Sequence, residues 1–375
     1  MEFTIHNQVL LSVFVVAMIM GAVANKTSFC TMGAVSDWVN MGDTGRMRAW
    51  LLSIAVALGG VLILESAGKL DLNAGTFPPY RTANFAWLRY VLGGLLFGVG
   101  MTLASGCGNK TMVRVGTGNL KSLAVLLIAA IATYMMLWTP FYERAFNPWI
   151  SATAINLAPM GIKSQELAAI VGGIAGLGNT AGLHAVIGAI VVLTLLVFVF
   201  RSAEFRASVD NVLGGTVIGL SVVAGWYLTG GPTGAAWKEF AELAEEVPSR
   251  VEVQSFTFIS PMADSLRYLM HPTELSLVNF GVTALAGVIV GSFLYAVFTR
   301  SFRIEWFASP ADVANHVIGA VLMGIGGALA MGCTVGQAIT GVSTLAFGSI
   351  LAFASIVAGA AATMKFQYWR LMRST

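Results

Sequence analysis

The chain has 375 residues, of which 57% are hydrophobic and 10% are charged, and its mean hydropathy is +0.78. A soluble domain carries about 25% charged residues, so this composition excludes a water-exposed globular protein and indicates one that lies in lipid. The net charge of +3 is too small to indicate a nucleic-acid partner. We expect no signal peptide, because the first apolar segment has no basic leader or small-residue cleavage site.

Nine apolar segments are long enough to cross a membrane as helices, which takes about 20 residues each. We place them at about 8–24, 47–68, 85–106, 120–140, 181–200, 209–230, 274–298, 312–331 and 342–362. The glycine-rich run 168–178 is too short to span and predicts a half-helix packed inside the protein. The sequence therefore predicts an all-α polytopic membrane protein with about nine transmembrane helices and short half-spanning helices, in a single membrane domain over 1–375.

Short basic loops predict the orientation, because loops rich in Lys and Arg stay on the cytoplasmic side. Basic residues lie at 46–48, 110–121, 201–206 and 300–303, and in the tail at 365–373. Nine spans bring all of them to one side if the N-terminus is outside and the C-terminus is cytoplasmic. The longest loop, about 231–273, is then external, and it is acidic.

Two glycine-rich segments repeat each other: Val91-Leu-Gly-Gly-Leu-Leu-Phe-Gly-Val-Gly-Met-Thr-Leu-Ala-Ser-Gly-Cys107 and Val317-Ile-Gly-Ala-Val-Leu-Met-Gly-Ile-Gly-Gly-Ala-Leu-Ala-Met-Gly-Cys333. The predicted spans run in opposite directions, which is typical of an inverted-topology repeat. We predict a 4+1+4 arrangement, with repeat one at about 1–145, a connecting region at about 146–205 and repeat two at about 206–375.

The three cysteines, Cys30, Cys107 and Cys333, each lie just beyond an apolar segment. Three is an odd number, and no spacing resembles a metal site, so we expect free thiols and neither a metal nor a cofactor. The counterpart of Cys30 in repeat two should fall at about 231–236, where the sequence has no cysteine. The path would therefore carry three thiols instead of four.

Glycine and polar residues around two of the cysteines predict broken helices. Irregular backbone at membrane depth is tolerated only where protein or a water-filled cavity surrounds it, and transporters build their sites from such breaks. We expect breaks next to Gly106 and Gly332. The polar and basic residues that could line an anion path are Lys26, Asn109, Lys110, Arg114, Thr334 and Gln337.

Plainer interpretations exist for each of these residues. A buried cysteine can be a small packing residue, and basic residues at helix ends can be simple flanking charges. Glu65 is expected to extend its carboxylate to the membrane surface, and we find no acid–base pair that indicates an enzyme. The residues alone indicate a transporter or channel with a thiol-lined path for an anion or a soft, sulfur-containing solute.

The chain resembles the YeeE/YedE family of sulfur transporters over essentially its whole length. The most specific motifs are Ser28-Phe-Cys30 followed by Gly33-Ala34, Gly106-Cys-Gly-Asn-Lys-Thr111 with Arg114, and Leu322-Met-Gly-Ile-Gly-Gly327 leading to Gly332-Cys-Thr-Val-Gly-Gln337. The resemblance implies thiosulfate uptake across a bacterial inner membrane, through an hourglass-shaped protein whose path carries Cys30, Cys107 and Cys333, with Ser28 beside the first. It also implies that a small cytoplasmic TusA-like sulfur carrier accompanies the protein.

Thiosulfate is a dianion with a terminal sulfur, and a neutral thiol can donate a weak S–H hydrogen bond to it. Our hypothesis is a relay of three neutral thiols without covalent capture. Three alternatives stay open: another sulfur or selenium compound as substrate, a membrane sulfurtransferase with a persulfide cysteine, and a soft-metal transporter. Neither the distinction between channel and coupled transporter nor the oligomeric state follows from the sequence.

Overall fold

The computed structural model describes residues 4–73, 75–177, 181–244 and 246–374. Within these residues, nine helical segments are long and apolar enough to cross a membrane, which confirms the prediction of an all-α polytopic membrane protein. The candidate spans are Ile5–Met41, Gly45–Ser66, Trp87–Gly116, Leu120–Trp138, Gly182–Phe200, Val209–Gly230, Phe280–Phe298, Pro310–Leu329 and Phe347–Arg373. Each coincides with a predicted segment. The orientation of the termini stays a prediction, and "outer" and "inner" refer to it below.

The helices, in chain order, are α1 (Ile5–Lys26), α2 (Thr31–Ser36), α3 (Gly45–Ser66), α4 (Trp87–Leu103), α5 (Gly108–Gly116), α6 (Leu120–Trp138), α7 (Phe141–Ala145), α8 (Asn147–Ile150), α9 (Leu167–Ile174), α10 (Ala181–Phe200), α11 (Ala203–Ala207), α12 (Val209–Gly230), α13 (Pro232–Leu243), α14 (Ile259–Met270), α15 (Phe280–Phe298), α16 (Pro310–Leu329) and α17 (Phe347–Ser374). Two π-helical segments, Asp37–Met41 and Val335–Gly341, extend short helical pieces. The short helix α9 lies in the run 168–178 where a half-helix was predicted, but it is not packed inside the protein, because Val171, Ile174 and Leu177 are exposed; residue 178 lies outside the described residues.

Four strands of two residues each join loops of the predicted outer side. They are β1 (Thr76–Phe77), β2 (Asn84–Phe85), β3 (Ile155–Asn156) and β4 (Val253–Gln254). Strand β1 pairs in parallel with β4, and β2 pairs antiparallel with β3. The external loop predicted at 231–273 is thus a folded region, which contains α13, β4 and α14 and buries Trp237, Phe256 and Phe258 completely.

Polar caps determine where several spanning helices begin. The side chains of Asn119, Ser208 and Asn279 accept hydrogen bonds from the free backbone N–H groups in the first turns of α6, α12 and α15. Ser309 does the same for α16, which starts with Pro310 at its first position. These residues satisfy N–H groups that would otherwise lack a partner at a helix end.

Helices α4 and α16 cross in contact at their backbones, because glycines remove the side chains between them. A Cβ atom at Gly100 would lie 2.6 Å from the carbonyl oxygen of Gly319, and one at Gly326 would lie 2.5 Å from the backbone nitrogen of Phe97. In lipid, such close van der Waals packing of small residues holds helices together. This crossing places the ends of α4 and α16, with their cysteines, near the centre of the protein.

The remaining spans pack in pairs around this crossing. Helix α1 packs along α15, and α12 packs along α3. Helix α17 packs along α4, and α6 packs along α16. Each pair joins one helix of the first predicted repeat to one helix of the second, so the two halves of the chain are interleaved rather than separate domains.

Candidate functional site

Three long helices, α1, α4 and α16, end in the same way. Ser28, Ser105 and Met331 each have a positive φ, of 50°, 58° and 59°. The residue after each donates its backbone N–H to a carbonyl of the last helical turn: Phe29 to Ala24 at 3.1 Å, Gly106 to Met101 at 2.9 Å and Gly332 to Gly327 at 2.9 Å. This pattern closes a helix C-terminus with a left-handed residue. The predicted breaks next to Gly106 and Gly332 are therefore confirmed.

Neither glycine is the left-handed residue of its break. That conformation belongs to Ser105 and Met331, one position earlier. A Cβ atom at Gly106 would lie 3.4 Å from Cγ of Lys110, and one at Gly332 would lie 3.3 Å from Cγ of Gln337. The two glycines leave room for these side chains to approach the break. Glycine is therefore required at both positions because it has no side chain, and not because of its backbone conformation.

A cysteine follows each break, and two of the three cysteines cap the next helical piece with their sulfur. Cys30 Sγ accepts a hydrogen bond from the N–H of Gly33 at 3.5 Å, and Cys333 Sγ accepts one from Gly336 at 3.4 Å. Cys107 occupies the N-cap position of α5, but its sulfur makes no such hydrogen bond among the described residues. The sulfurs thus lie at helix N-termini, where the backbone N–H groups carry a partial positive charge that favours an anion.

The three thiols form one buried row with Cys107 in the middle. Cys107 Sγ accepts a long hydrogen bond from the hydroxyl of Thr31, the residue after Cys30, at 4.0 Å. Toward the third cysteine, a Cβ atom at the adjacent Gly108 would lie 3.9 Å from Cβ of Cys333, and the buried hydroxyl of the next residue, Thr334, has no partner among the described residues. Cys30 is 4% exposed, and Cys107 and Cys333 are fully buried. The order across the protein is therefore Cys333, Cys107, Cys30.

A cavity opens at each end of this row. The outer cavity, of about 340 Å³, reaches Met331 and Gly332, directly before Cys333. The inner cavity, of about 760 Å³, reaches Met32 and Ser36 on the helix that Cys30 caps, together with Lys365. One cavity thus approaches the row next to Cys333 and the other next to the helix that Cys30 caps; the hourglass shape stays a prediction.

Two arginines make the outer cavity positive. The Arg89 guanidinium donates hydrogen bonds to the carbonyls of Ala328 and Leu329, at 3.2 and 2.7 Å, at the end of α16. Arg250 lies over the ring of Phe77, 4.3 Å from its centre, and its Nη1 is 2.9 Å from Asp264. Burial raises the pKa of the Asp264 carboxyl, although the neighbouring Arg250 charge acts in the opposite direction. Neither arginine was predicted from the sequence.

The basic residues after Cys107 lie close to the thiol row. Lys110 is largely buried, and its charge has Cys30, Cys107 and Arg114 as electrostatic neighbours. Arg114 Nη1 donates a hydrogen bond to the carbonyl of Ser105 at 2.7 Å, which ties α5 back to the break before it. The break at Cys107 therefore carries two positive charges beside buried sulfur.

Polar side chains that the sequence singled out surround the row but are only partly satisfied. Asn109 is fully buried, and neither its amide nitrogen nor its amide oxygen has a hydrogen-bond partner among the described residues. Gln337 donates from Nε2 to the carbonyl of Ala330 at 2.5 Å, while its amide oxygen is unpaired there. Buried polar groups are normally paired, so these atoms are available to a polar ligand.

Lys26 and Ser28, in contrast, lie at the surface. Both residues are exposed, and Lys26 Nζ is 3.9 Å from Asp210, whose side chain is also exposed. The structure does not bring either residue into the buried row. Their part in the path stays a prediction.

A fourth break, after α12, lies where the counterpart of the Cys30 break was predicted, but it carries no sulfur. Helix α12 ends at Gly230, and Gly231 occupies the N-cap position of α13. Gly231 lies within the range 231–236 that was predicted to correspond to Cys30. Glycine accepts no hydrogen bond through a side chain, so this cap cannot extend the row of thiols.

The expectation that Glu65 reaches the membrane surface is wrong. Its carboxylate accepts hydrogen bonds from Arg81 at 2.7 and 3.1 Å and pairs with His184 Nε2 at 2.9 Å. His184 Nδ1 pairs with Glu166, and all four side chains are largely buried. Sequence reasoning could not find this cluster, because its members come from four separate segments.

The fold of the described residues, with nine helices long and apolar enough to cross a membrane, is that of a polytopic membrane protein. The chain belongs to the sulphur transport family, which includes the YeeE/YedE proteins, and the family profile matches residues 26–362. It is similar to the thiosulfate transporter TsuA of Escherichia coli K12, with 26% identity over 88% of this chain and 86% of the relative. It is also similar to TsuA of Spirochaeta thermophila, with 25% identity over 92% and 94% of the two chains.

Proposed function

We propose that this protein takes up thiosulfate across a bacterial inner membrane by passing it along Cys333, Cys107 and Cys30. The observation that carries the proposal is the contiguous thiol row, with Cys107 between the other two cysteines and a cavity at each end. Both relatives are named thiosulfate transporters. The outer cavity, with Arg89 and Arg250, attracts the dianion, and the row then receives it.

Each transfer along the row uses weak hydrogen bonds and no covalent chemistry. A neutral thiol donates its S–H to the terminal sulfur of thiosulfate, and the next thiol replaces it as the ion advances. A thiolate would repel the dianion. Each contact has to be weak, because conduction needs sites that the ion can leave.

The positive environment of the row offsets the loss of water around the ion. Taking a charge out of water is costly unless charges or hydrogen bonds replace the hydration shell. The N-terminal N–H groups of α5 and the Lys110 charge supply this replacement next to Cys107. The row is closed in this structure, so its walls must move apart when the ion passes.

Uptake of radiolabelled thiosulfate in a bacterium without its own sulfate and thiosulfate importers tests the proposal. Cells with the intact chain should accumulate label, and Cys30→Ala, Cys107→Ala and Cys333→Ala should each abolish it at equal membrane amounts. Ser53→Ala, a buried change on α3 outside the row, is the matched control. Normal uptake by all three alanine variants would overturn the relay.

Two further outcomes separate this proposal from its alternatives. A persulfide or thiosulfonate adduct on a cysteine, seen by intact-mass measurement during uptake, would replace the non-covalent relay with covalent transfer. Stronger competition by selenium analogues or other sulfur anions than by unlabelled thiosulfate would assign a different substrate to the same path.

We also propose the inverted 4+1+4 repeat, with repeats at about 1–145 and 206–375 around a connecting region at about 146–205. Its support is the interleaved packing, in which α1 with α15 corresponds to α12 with α3, and α4 with α17 corresponds to α16 with α6. Sided labelling of cysteines introduced at the exposed positions Arg201 and Glu246 tests the orientation. The first should react from the cytoplasm and the second from outside.

A TusA-like sulfur carrier is the proposed cytoplasmic partner. The inner cavity supports this, because it is the larger of the two and lies on the predicted cytoplasmic side, next to the helix that Cys30 caps. Co-purification of the two proteins from membranes, with and without the cysteine of the carrier, tests the interaction. Uptake at the full rate without any carrier would show that it is not needed for transport.

A further inference from the structure

A half-buried ion pair lies beside Cys30, at the inner end of the thiol row. Arg46, in the first turn of α3, donates from Nε and Nη2 to the two carboxylate oxygens of Asp37, with the Nη2 bond at 2.6 Å. Asp37 begins the π-helical turn that continues α2, and its side chain is 7% exposed, against 34% for Arg46. π-Helical turns are frequent at functional sites.

The guanidinium of Arg46 also reaches the helix that Cys30 caps. A Cβ atom at Gly33 would lie 2.2 Å from Arg46 Nη1, so only glycine leaves room for this group. The N–H of the same Gly33 donates to Cys30 Sγ. The two bonds to Asp37 use Nε and Nη2, which leaves Nη1 as the nitrogen that faces α2.

Electrostatic neighbours connect Arg46 to the row. The charge of Arg46 interacts with the Cys30 thiol and with Lys110, and its carboxylate neighbours are Asp37 and Asp43. Between Cys30 and the exposed Asp210 lies a crevice, lined also by Arg46 and Asn211, that is too narrow to hold a water molecule. Arg46 therefore lies where the row is closed toward the predicted cytoplasmic side.

We propose that Arg46 receives the anion from Cys30 and that Asp37 then displaces it toward the cytoplasm. The inference rests on the proposed function and on the predicted orientation. Guanidinium groups bind oxyanions through two parallel N–H bonds, and the sulfonate end of thiosulfate presents such oxygens. While the anion occupies Arg46, one or both bonds to Asp37 open, and their return expels the anion. No covalent bond changes and no proton is transferred.

This exchange explains why a carboxylate is placed in an anion path. An unpaired arginine in a partly buried site would hold a dianion too strongly for transport. Asp37 competes for the same N–H donors and repels the leaving ion, so the site stays weak enough for release. When no substrate is present, Arg46 and Asp37 together have no net charge.

Initial rates of thiosulfate uptake, measured at several concentrations, test the exchange. Asp37→Asn frees Arg46, so both the KM and the maximal rate should fall, the rate by about tenfold, because a charge-assisted bond to the anion no longer has a competitor. Arg46→Lys keeps the charge but not the paired donors, so the maximal rate should fall without a decrease in KM. Arg48→Lys, in the same turn of α3, is the matched control and should keep both constants.

Thermal unfolding of the purified variants separates transport from structure. If the ion pair is purely structural, Asp37→Asn and Arg46→Lys should lower the midpoint temperature. Their KM, and their maximal rate per folded protein, should then be unchanged. That result would overturn the inference while wild-type uptake upholds the proposed function. If the wild-type chain took up no thiosulfate in the same cells, the proposed function itself would fail. If Asp37→Asn did not fold, a normal rate and KM in Arg46→Lys would be sufficient to reject the exchange.

Discussion

Gly93 lies so close to Ala330 that a Cβ atom on it would come within 2.4 Å of the Ala330 backbone nitrogen. The equivalent residues of the two matching segments make the same contact in reverse, since a Cβ atom at Gly319 would lie 2.5 Å from the nitrogen of Ala104. Reciprocal contacts of this kind are those of a local twofold axis between α4 and α16. They support the proposed inverted repeat and give the crossing no room for a larger side chain.

We expect Gly93→Ala and Gly319→Ala to destabilise the protein by similar amounts, about 1–3 kcal/mol each, because the helices would have to move apart. Gly59→Ala on α3 is the control, since its Cβ atom would lie 3.7 Å from a Val192 methyl group, at an ordinary contact distance. Thermal unfolding in detergent measures all three. Unequal losses at the two equivalent glycines would contradict the twofold relationship.

Lys110 and Lys26 should differ sharply in their effect on uptake. Lys110→Met removes a largely buried charge beside Cys30 and Cys107, where little solvent screens it, so uptake should fall by about tenfold or more. Lys26→Met removes an exposed charge that salt already screens, so uptake should change by less than about twofold. The measurement is the initial uptake rate of each variant at equal amounts of protein in the membrane. An equal loss in both variants would contradict the expectation that the buried Lys110, and not the exposed Lys26, acts on the anion.

Asn109→Leu should separate stability from transport. The buried amide has no partner among the described residues, and an unsatisfied polar group costs about 1–3 kcal/mol. We therefore expect the variant to unfold at the same temperature or higher, yet to take up less thiosulfate if the amide binds the ion. Asn119→Ala is the contrasting control, because Asn119 caps α6 and its loss should cost about 1 kcal/mol. Full uptake by Asn109→Leu would remove Asn109 from the path.

The ion cluster around Arg81 should matter for stability more than any exposed charge. Arg81→Met leaves the buried carboxylates of Glu65 and Glu166 with His184 as their remaining shared partner, which should cost about 3–5 kcal/mol. Arg81 also donates to the carbonyl of Thr344 at 3.1 Å, after the break at Cys333. Arg201→Met, an exposed change at the end of α10, is the control, and the midpoint temperature is the readout. A loss no larger than that of the control would show that the cluster is not a structural support.

Much of the architecture could be predicted because it depends on local sequence. Hydropathy over about 20 residues determines whether a helix can cross the membrane, so all nine spans were found. The breaks after α4 and α16 were visible because glycine and polar residues interrupt an apolar run. The three cysteines could be chosen as candidate site residues by position alone, since each follows such a run.

Only the tertiary structure decided which of these residues meet. The sequence offered Lys26 and Lys110 equally as path charges, but the folded chain exposes the first and buries the second beside Cys107. The position of Cys107 between Cys30 and Cys333, the pairing of Arg46 with Asp37, and the cluster that holds Glu65 all join distant segments. Close packing at glycines such as Gly93 and Gly319 brings those segments together, and this packing depends on the shapes of two helices at once rather than on the pattern of either one.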